Sequence, residues 1–133
     1  MSKTTSLTGV WHGLYSYRAF REPVYFVATL IHSGSFLSGM THESEVGETG
    51  APLTLFAEIE GSLEGWSVAF RKTYDGSEGW AHSVNYEGTL SDDGLEIDGR
   101  WVIPGKDHGR FLMIRRRGAT EAIVRQVYET HGA

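Results

Sequence analysis

The stretch WAHSVNYEGTLSDDGLEIDGRWVI, residues 80–103, decides the fold class of this chain. Its last part, 95–103, alternates apolar with charged residues and keeps Ile97 and Trp101 on one side. A period of two is typical of a strand that buries one face. The preceding segment, SDDG at 91–94, contains an Asp-Gly pair, which readily supplies the positive φ angles of a tight hairpin turn. The stretch therefore predicts two neighbouring antiparallel strands.

The same pattern of apolar runs and turns recurs along the whole chain. Glycine occurs 17 times and proline 3 times, and the glycines separate short runs of β-branched and aromatic residues. Many short strands joined by tight turns are the expected result, and short connections pair consecutive strands antiparallel. The eight predicted strands are 8–18, 23–32, 35–44, 53–60, 65–74, 80–90, 95–103 and 109–116.

Eight consecutive strands in one small domain would expose two sheet edges unless the sheet closed on itself. Closure at eight strands gives a barrel whose interior is filled by side chains or holds one small ligand. We therefore predict an all-β fold, an eight-stranded antiparallel up-and-down barrel over residues 8–117. Residues 1–133 are expected to form a single domain, because 133 residues suit one hydrophobic core.

The end of the chain has a different pattern. In TEAIVRQVYETH, residues 120–131, four apolar residues recur with helical spacing: Ile123, Val124, Val127 and Tyr128. This predicts a short C-terminal α-helix over 119–131 that packs on the barrel exterior or on a partner, because so short a helix is marginal alone.

Two of the predicted strands, 23–32 and 109–116, are apolar on both faces. A strand with two apolar faces is covered on both sides. In a closed barrel these strands flank the first one, so the C-terminal helix can pack on their outer face. The same face predicts a possible homodimer through strands 23–32 and 109–116 or through the C-terminal helix.

Composition excludes several classes of function. The net charge of −5 and the pI of about 5.6 argue against a nucleic-acid-binding protein, which usually carries a basic surface. The absence of cysteine excludes disulfides and thiolate metal sites. No apolar run approaches the roughly 18 residues of a membrane span, and the first residues lack a signal peptide's apolar region. We therefore expect a cytoplasmic protein without nucleic-acid or membrane partners.

The Gly9-x-Trp11 pair on the first strand, the eight-strand meander and the RRR segment at 115–117 together resemble the calycin superfamily. Lipocalins, fatty-acid-binding proteins and avidins belong to it, and this chain is similar to a small bacterial member. The resemblance implies that Trp11 plugs one end of the barrel and that Arg115 or Arg116 lies across it. The aromatic and polar residues of an avidin biotin pocket are not found in register, so biotin binding is not implied.

Local motifs for catalysis or metal binding are not found in the sequence. The six histidines, at 12, 32, 42, 82, 108 and 131, do not pair at the spacings that hold a metal on one helix or strand. The Asp residues of the turns are explained by backbone geometry. The sequence therefore predicts no catalytic residue, no metal and no cofactor, and it favours binding over catalysis.

Polar aromatic residues share the parity of the apolar residues in their strands or lie at strand ends. Buried Tyr, Trp and His bring polar groups that need partners, and a few such groups in an apolar cavity are typical of a small-molecule site. We expect a small apolar or aromatic ligand in the barrel interior. Two alternatives remain: a packed barrel that serves as an interaction or oligomerisation module, and a cavity enzyme such as an isomerase or cyclase. The expected ligand-pocket residues are Tyr17, His42, Trp66, Tyr74, His82, Tyr86 and Trp101.

Overall fold

The computed structural model describes residues 6–17, 22–46, 49–76 and 82–116. Each of the eight predicted strands is present, with ends that shift by a few residues. The strands are β1 (Gly9–Tyr17), β2 (Val24–Ser33), β3 (Phe36–Val46), β4 (Pro52–Glu64), β5 (Ser67–Tyr74), β6 (Ser83–Leu90), β7 (Glu96–Ile103) and β8 (Asp107–Ile114).

The strands form one closed antiparallel barrel in chain order. Each strand pairs with its sequence neighbours, and β1 also pairs with β8, with Tyr15 opposite Phe111. Closure removes the two free edges that an open sheet would expose. The prediction of an all-β, eight-stranded up-and-down barrel is confirmed.

The predicted C-terminal helix over 119–131 lies outside the described residues, so it stays a prediction. The described part of residues 6–116 consists of strands, turns and irregular segments and contains no helix. Accordingly, no described helix has the length and apolar character needed to cross a membrane.

Aromatic side chains fill much of the barrel interior, and glycines make room for them. A Cβ on Gly13 would lie 2.3 Å from the ring of Phe26, and a Cβ on Gly109 would lie 2.6 Å from the indole nitrogen of Trp101. Gly13 therefore serves the packing of the neighbouring ring.

The outer face of the barrel carries several exposed apolar side chains. Ile31 is 58% exposed, and Val10, Met40 and Phe56 are also exposed. On the wall formed by β8, β1 and β2, the outward residue Val27 is half-buried. Homodimerisation through this wall stays a prediction.

The two ends of the barrel differ in their connections. At the end where β1 begins, the connections are the short turns 34–35 and 65–66, together with 91–95. At the opposite end the chain leaves one strand and enters the next between Tyr17 and Val24, Val46 and Pro52, Tyr74 and Ser83, and Ile103 and Asp107. Longer connections at one end of a rigid barrel are where binding residues commonly lie. We call this second end the loop end.

Candidate ligand site in the barrel interior

A buried ion pair lies inside the barrel toward the loop end. The Lys72 ammonium donates a hydrogen bond to Oε1 of Glu43 over 3.1 Å. The side chains are 1% and 0% exposed, respectively. The two residues come from β5 and β3, near the loop end of each strand, and both lie on the inward face. Placing two full charges inside a small barrel costs several kcal/mol per ion before the partners compensate.

Two tyrosines complete the coordination of the Glu43 carboxylate. The hydroxyl of Tyr15 donates to Oε2 over 2.6 Å, and that of Tyr74 donates to Oε1 over 3.1 Å. Together with Lys72 they give the carboxylate three donors, two of them neutral hydroxyls. Hydrogen bonds to an ionised acceptor are short and strong, so this arrangement stabilises the negative charge.

Aromatic rings surround the Lys72 ammonium. A cation within about 6 Å of a ring centroid is attracted by the ring quadrupole. These contacts offset part of the lost hydration of the ammonium, but they are not conventional hydrogen bonds. The ring centroids lie 4.8 Å from Nζ for Tyr15, 5.0 Å for Phe26, 5.0 Å for Tyr74 and 5.4 Å for Tyr86.

The cluster perturbs the protonation of its own hydroxyls. Burial, followed by the nearby Tyr74 and Glu43, raises the pKa of Tyr15. Burial is also the main cause that raises the pKa of Tyr74, with Lys72 opposing the shift. Burial and the Glu43 charge raise the pKa of Tyr86 well above its ordinary value. All three phenols are thus held neutral, and those of Tyr15 and Tyr74 donate to the Glu43 carboxylate.

Thr41 is a further polar residue of the interior. It lies two residues before Glu43 on the inward face of β3 and is 1% exposed. Its hydroxyl oxygen is buried and has no hydrogen-bond partner in the described structure. Its register neighbours are Ala28 on β2 and Ala57 on β4. A buried hydroxyl without a partner costs stability, so it calls for an explanation.

Four of the seven expected pocket residues face the interior. Tyr74, Tyr86 and Trp101 are buried there, and Tyr17 is partly buried near the loop end. The Tyr17 ring lies 5.2 Å from Trp101 and 5.8 Å from Tyr15. The Trp101 indole donates to the backbone oxygen of Ser16 over 2.9 Å, which fixes its ring. The structure thus brings several aromatic side chains together beside the Glu43–Lys72 ion pair.

His82 lies at the loop end, just before β6, and is exposed. Its ring centroid is 4.9 Å from that of Tyr74, so it adjoins the cluster from the solvent side. Desolvation, followed by the charges of Lys72 and Lys106, lowers the pKa of this histidine. The lowered pKa favours the neutral imidazole form of His82 at the loop end.

Two expected pocket residues do not lie in the interior. His42 is exposed on the outer face, with its ring 6.3 Å from that of Phe56, because the inward residues of β3 are its neighbours Thr41 and Glu43. Trp66 is 53% exposed in the turn before β5, at the opposite end of the barrel. The expectation was wrong for Trp66 because β5 begins at Ser67, two residues after the predicted start at 65, which leaves Trp66 in the turn.

Sequence reasoning missed the ion pair, although the pattern contained a signal for it. Lys72 stands between Phe70 and Tyr74 at the inward parity of the fifth strand. A charged residue at a core position is rarely buried unless it is paired. Glu43 likewise shares the parity of the buried Leu37 and Thr41 on the third strand.

The opposite end of the barrel is closed by Trp11. Its side chain is 0% exposed, and the indole donates to the backbone oxygen of Leu7 over 2.9 Å. The Arg115 guanidinium lies 4.8 Å from the Trp11 ring centroid and donates to the Gly94 oxygen over 3.1 Å. Arg116 is exposed, so Arg115 is the arginine that stacks on the ring.

The described residues contain no group of three or more His, Asp or Glu side chains that could hold a metal ion. The Glu43 cluster is therefore organised around an ammonium and hydroxyls. No protein-family model matches the chain, and no curated protein matches it either.

Proposed function

We propose that the protein binds a small, mostly apolar or aromatic molecule inside the loop end of the barrel. The observation that carries this proposal is the buried Glu43–Lys72 pair set among aromatic rings. The ligand would pass His82 and contact Tyr17 and Trp101 at the loop end. Kinship with the calycins is part of the proposal, supported by the stack of Arg115 on the Trp11 ring.

The energetics of the pair favour a role beyond stability. Well-packed apolar residues of similar volume often stabilise a fold as much as a buried ion pair, or more. A barrel that needed only a filled core would gain little from Glu43 and Lys72. Titratable groups with strongly perturbed surroundings are typical of functional sites. The Glu43–Lys72 pair lies toward the loop end, and the mouth of a β-barrel is a common place for a ligand to bind.

A second candidate is an interaction module that uses the outer face. The exposed apolar residues Val10, Ile31, Met40 and Phe56 favour it. Light scattering over a concentration series separates the two candidates, because an interaction module would self-associate or require a protein partner. A monomer that retains a small molecule supports ligand binding.

The ligand-binding proposal is tested by native mass spectrometry of protein from its own source and by titration with the neutral fluorophore N-phenyl-1-naphthylamine. We expect a retained small molecule and saturable probe binding. Tyr74→Phe and His82→Ala should weaken probe binding, because Tyr74 belongs to the cluster and His82 adjoins it from the solvent side. Trp66→Phe is the matched aromatic control and should bind like the parent, since Trp66 is exposed at the other end. No retained molecule and no probe binding would overturn the proposal.

A further inference from the structure

We infer that the polar end of this ligand is a neutral carbonyl oxygen, received inside the barrel by Lys72 and Thr41. The inference rests on the proposed ligand-binding function and names the chemical class of the ligand. It follows from three observations: the unused donors of the cluster, its charge balance and the small residues around Thr41.

The unused hydrogen-bonding capacity of the cluster is mainly that of donors. An ammonium carries three N–H donors and no acceptor. Among the residues that the structure describes, Lys72 donates to Glu43 alone. The Thr41 hydroxyl, which also has a proton to donate, has no partner there. Glu43 already accepts three hydrogen bonds. The complementary group is therefore an acceptor oxygen.

The charge balance of the cluster favours a neutral acceptor over a carboxylate. The charges of Lys72 and Glu43 cancel, and the two tyrosines bonded to Glu43 are held neutral by burial. A ligand carboxylate would add an uncompensated negative charge beside Glu43 in a buried site. Burying an unpaired charge is far more costly than burying a neutral carbonyl that finds donors.

The residues paired with Thr41 have small side chains. Its partners in register on both sides are alanines, Ala28 and Ala57. Elsewhere the interior is filled by large rings, such as the stacked Phe70 and Tyr86 at 4.7 Å. Small side chains beside an unpartnered hydroxyl are compatible with binding of a compact polar group of the ligand.

Three isosteric probes test the inference: acetophenone, which carries a carbonyl; cumene, which replaces the oxygen with a methyl group; and benzoate, which adds a charge. Their affinities are measured by displacement of N-phenyl-1-naphthylamine and by ligand-observed NMR. We expect acetophenone to bind roughly three- to tenfold more tightly than cumene, as one net hydrogen bond provides. Benzoate should be the weakest of the three.

The isosteric variant Thr41→Val removes the hydroxyl with little change of shape. It should reduce the preference for acetophenone over cumene, because only Lys72 then donates to the carbonyl, while thermal stability stays equal to the parent's or rises. Thr54→Val, which makes the same change at an exposed residue of β4, is the matched control and should keep the preference.

Equal affinity for acetophenone and cumene, tighter binding of benzoate, or an unchanged preference in Thr41→Val would overturn the inference. If the fluorophore binds but shows none of these preferences, the inference fails and the proposed function stands. If neither fluorophore nor probes bind and no molecule is retained, both fail.

Discussion

The Lys72 ammonium and the Glu43 carboxylate meet over 3.1 Å in a part of the barrel that excludes solvent almost completely. Each charge is tolerated there because the other is present. The hydroxyls of Tyr15 and Tyr74 supply further donors to the carboxylate, and four aromatic rings face the ammonium. The cluster is thus one electrostatic unit, and removing either Lys72 or Glu43 alone leaves an uncompensated charge.

Lys72→Met should destabilise the protein by about 3–5 kcal/mol, because it leaves the Glu43 carboxylate buried without its counter-charge. The double variant Glu43→Leu with Lys72→Met should recover much of that loss, since no charge then remains. The measurement is the free energy of unfolding from urea denaturation. Lys106→Met, at an exposed lysine of the same end, is the control. A double variant that loses as much as the sum of the single variants would contradict this account.

Trp11→Ala should lower the free energy of unfolding by about 3–5 kcal/mol, the usual cost of removing a buried aromatic side chain. Arg115→Ala should cost less but should couple to it, because the guanidinium lies over the ring. The test is a double-mutant cycle, with the exposed Arg116→Ala as control. Additive losses for Trp11 and Arg115 would show that the stack contributes nothing to stability.

Gly13→Ala should destabilise the barrel by about 1–3 kcal/mol, the cost typical of overpacking. The added methyl would lie 2.3 Å from the Phe26 ring. Combining it with Phe26→Leu should restore part of the stability, because the smaller side chain removes the clash. Chemical denaturation of the parent, both single variants and the pair measures this coupling. If the pair lost the sum of the two single effects, the contact would not be the cause.

The fold could be predicted because its signals are local. Alternation such as that of Leu55, Ala57 and Ile59 in β4 fixes which face is buried, and glycine-rich turns fix where strands end. Closure then follows from the need to cover two edges. The plug could be predicted from Gly9-x-Trp11 through the resemblance to a known superfamily, although the choice between Arg115 and Arg116 required coordinates.

The site could be predicted only in part, because it depends on parity at strand ends and on pairings between distant strands. A shift of one residue moves a side chain to the other face, which is why His42 was placed inside in place of Glu43. The Glu43–Lys72 pair joins β3 and β5, which are not neighbours in the sheet. Local periodicity indicates that Lys72 points inward, but it does not identify the partner on another strand.

At alkaline pH, the buried phenols of the barrel interior should make stability depend on pH. Burial is the main cause that raises the pKa of Tyr15, Tyr74 and Tyr86 in the folded protein. Their folded pKa values exceed the unfolded value of about 10, so their contribution to stability is present below pH about 10 and is lost as the pH rises above it. Of the six tyrosines in the chain, these three should resist ionisation until the barrel unfolds.

A pH titration followed by tyrosinate absorbance and by circular dichroism in parallel should show three phenols ionising together with loss of the sheet signal. Urea-unfolded protein, in which all six phenols should titrate near their ordinary pKa, provides the reference. Tyr86→Phe should remove one phenol from the late step, whereas Glu43→Gln should lower the pKa of Tyr15, because the Glu43 charge is among the causes that raise it. If all six phenols ionised at their ordinary pKa while the sheet signal stayed intact, the buried cluster would have to be open to solvent, contrary to the described packing.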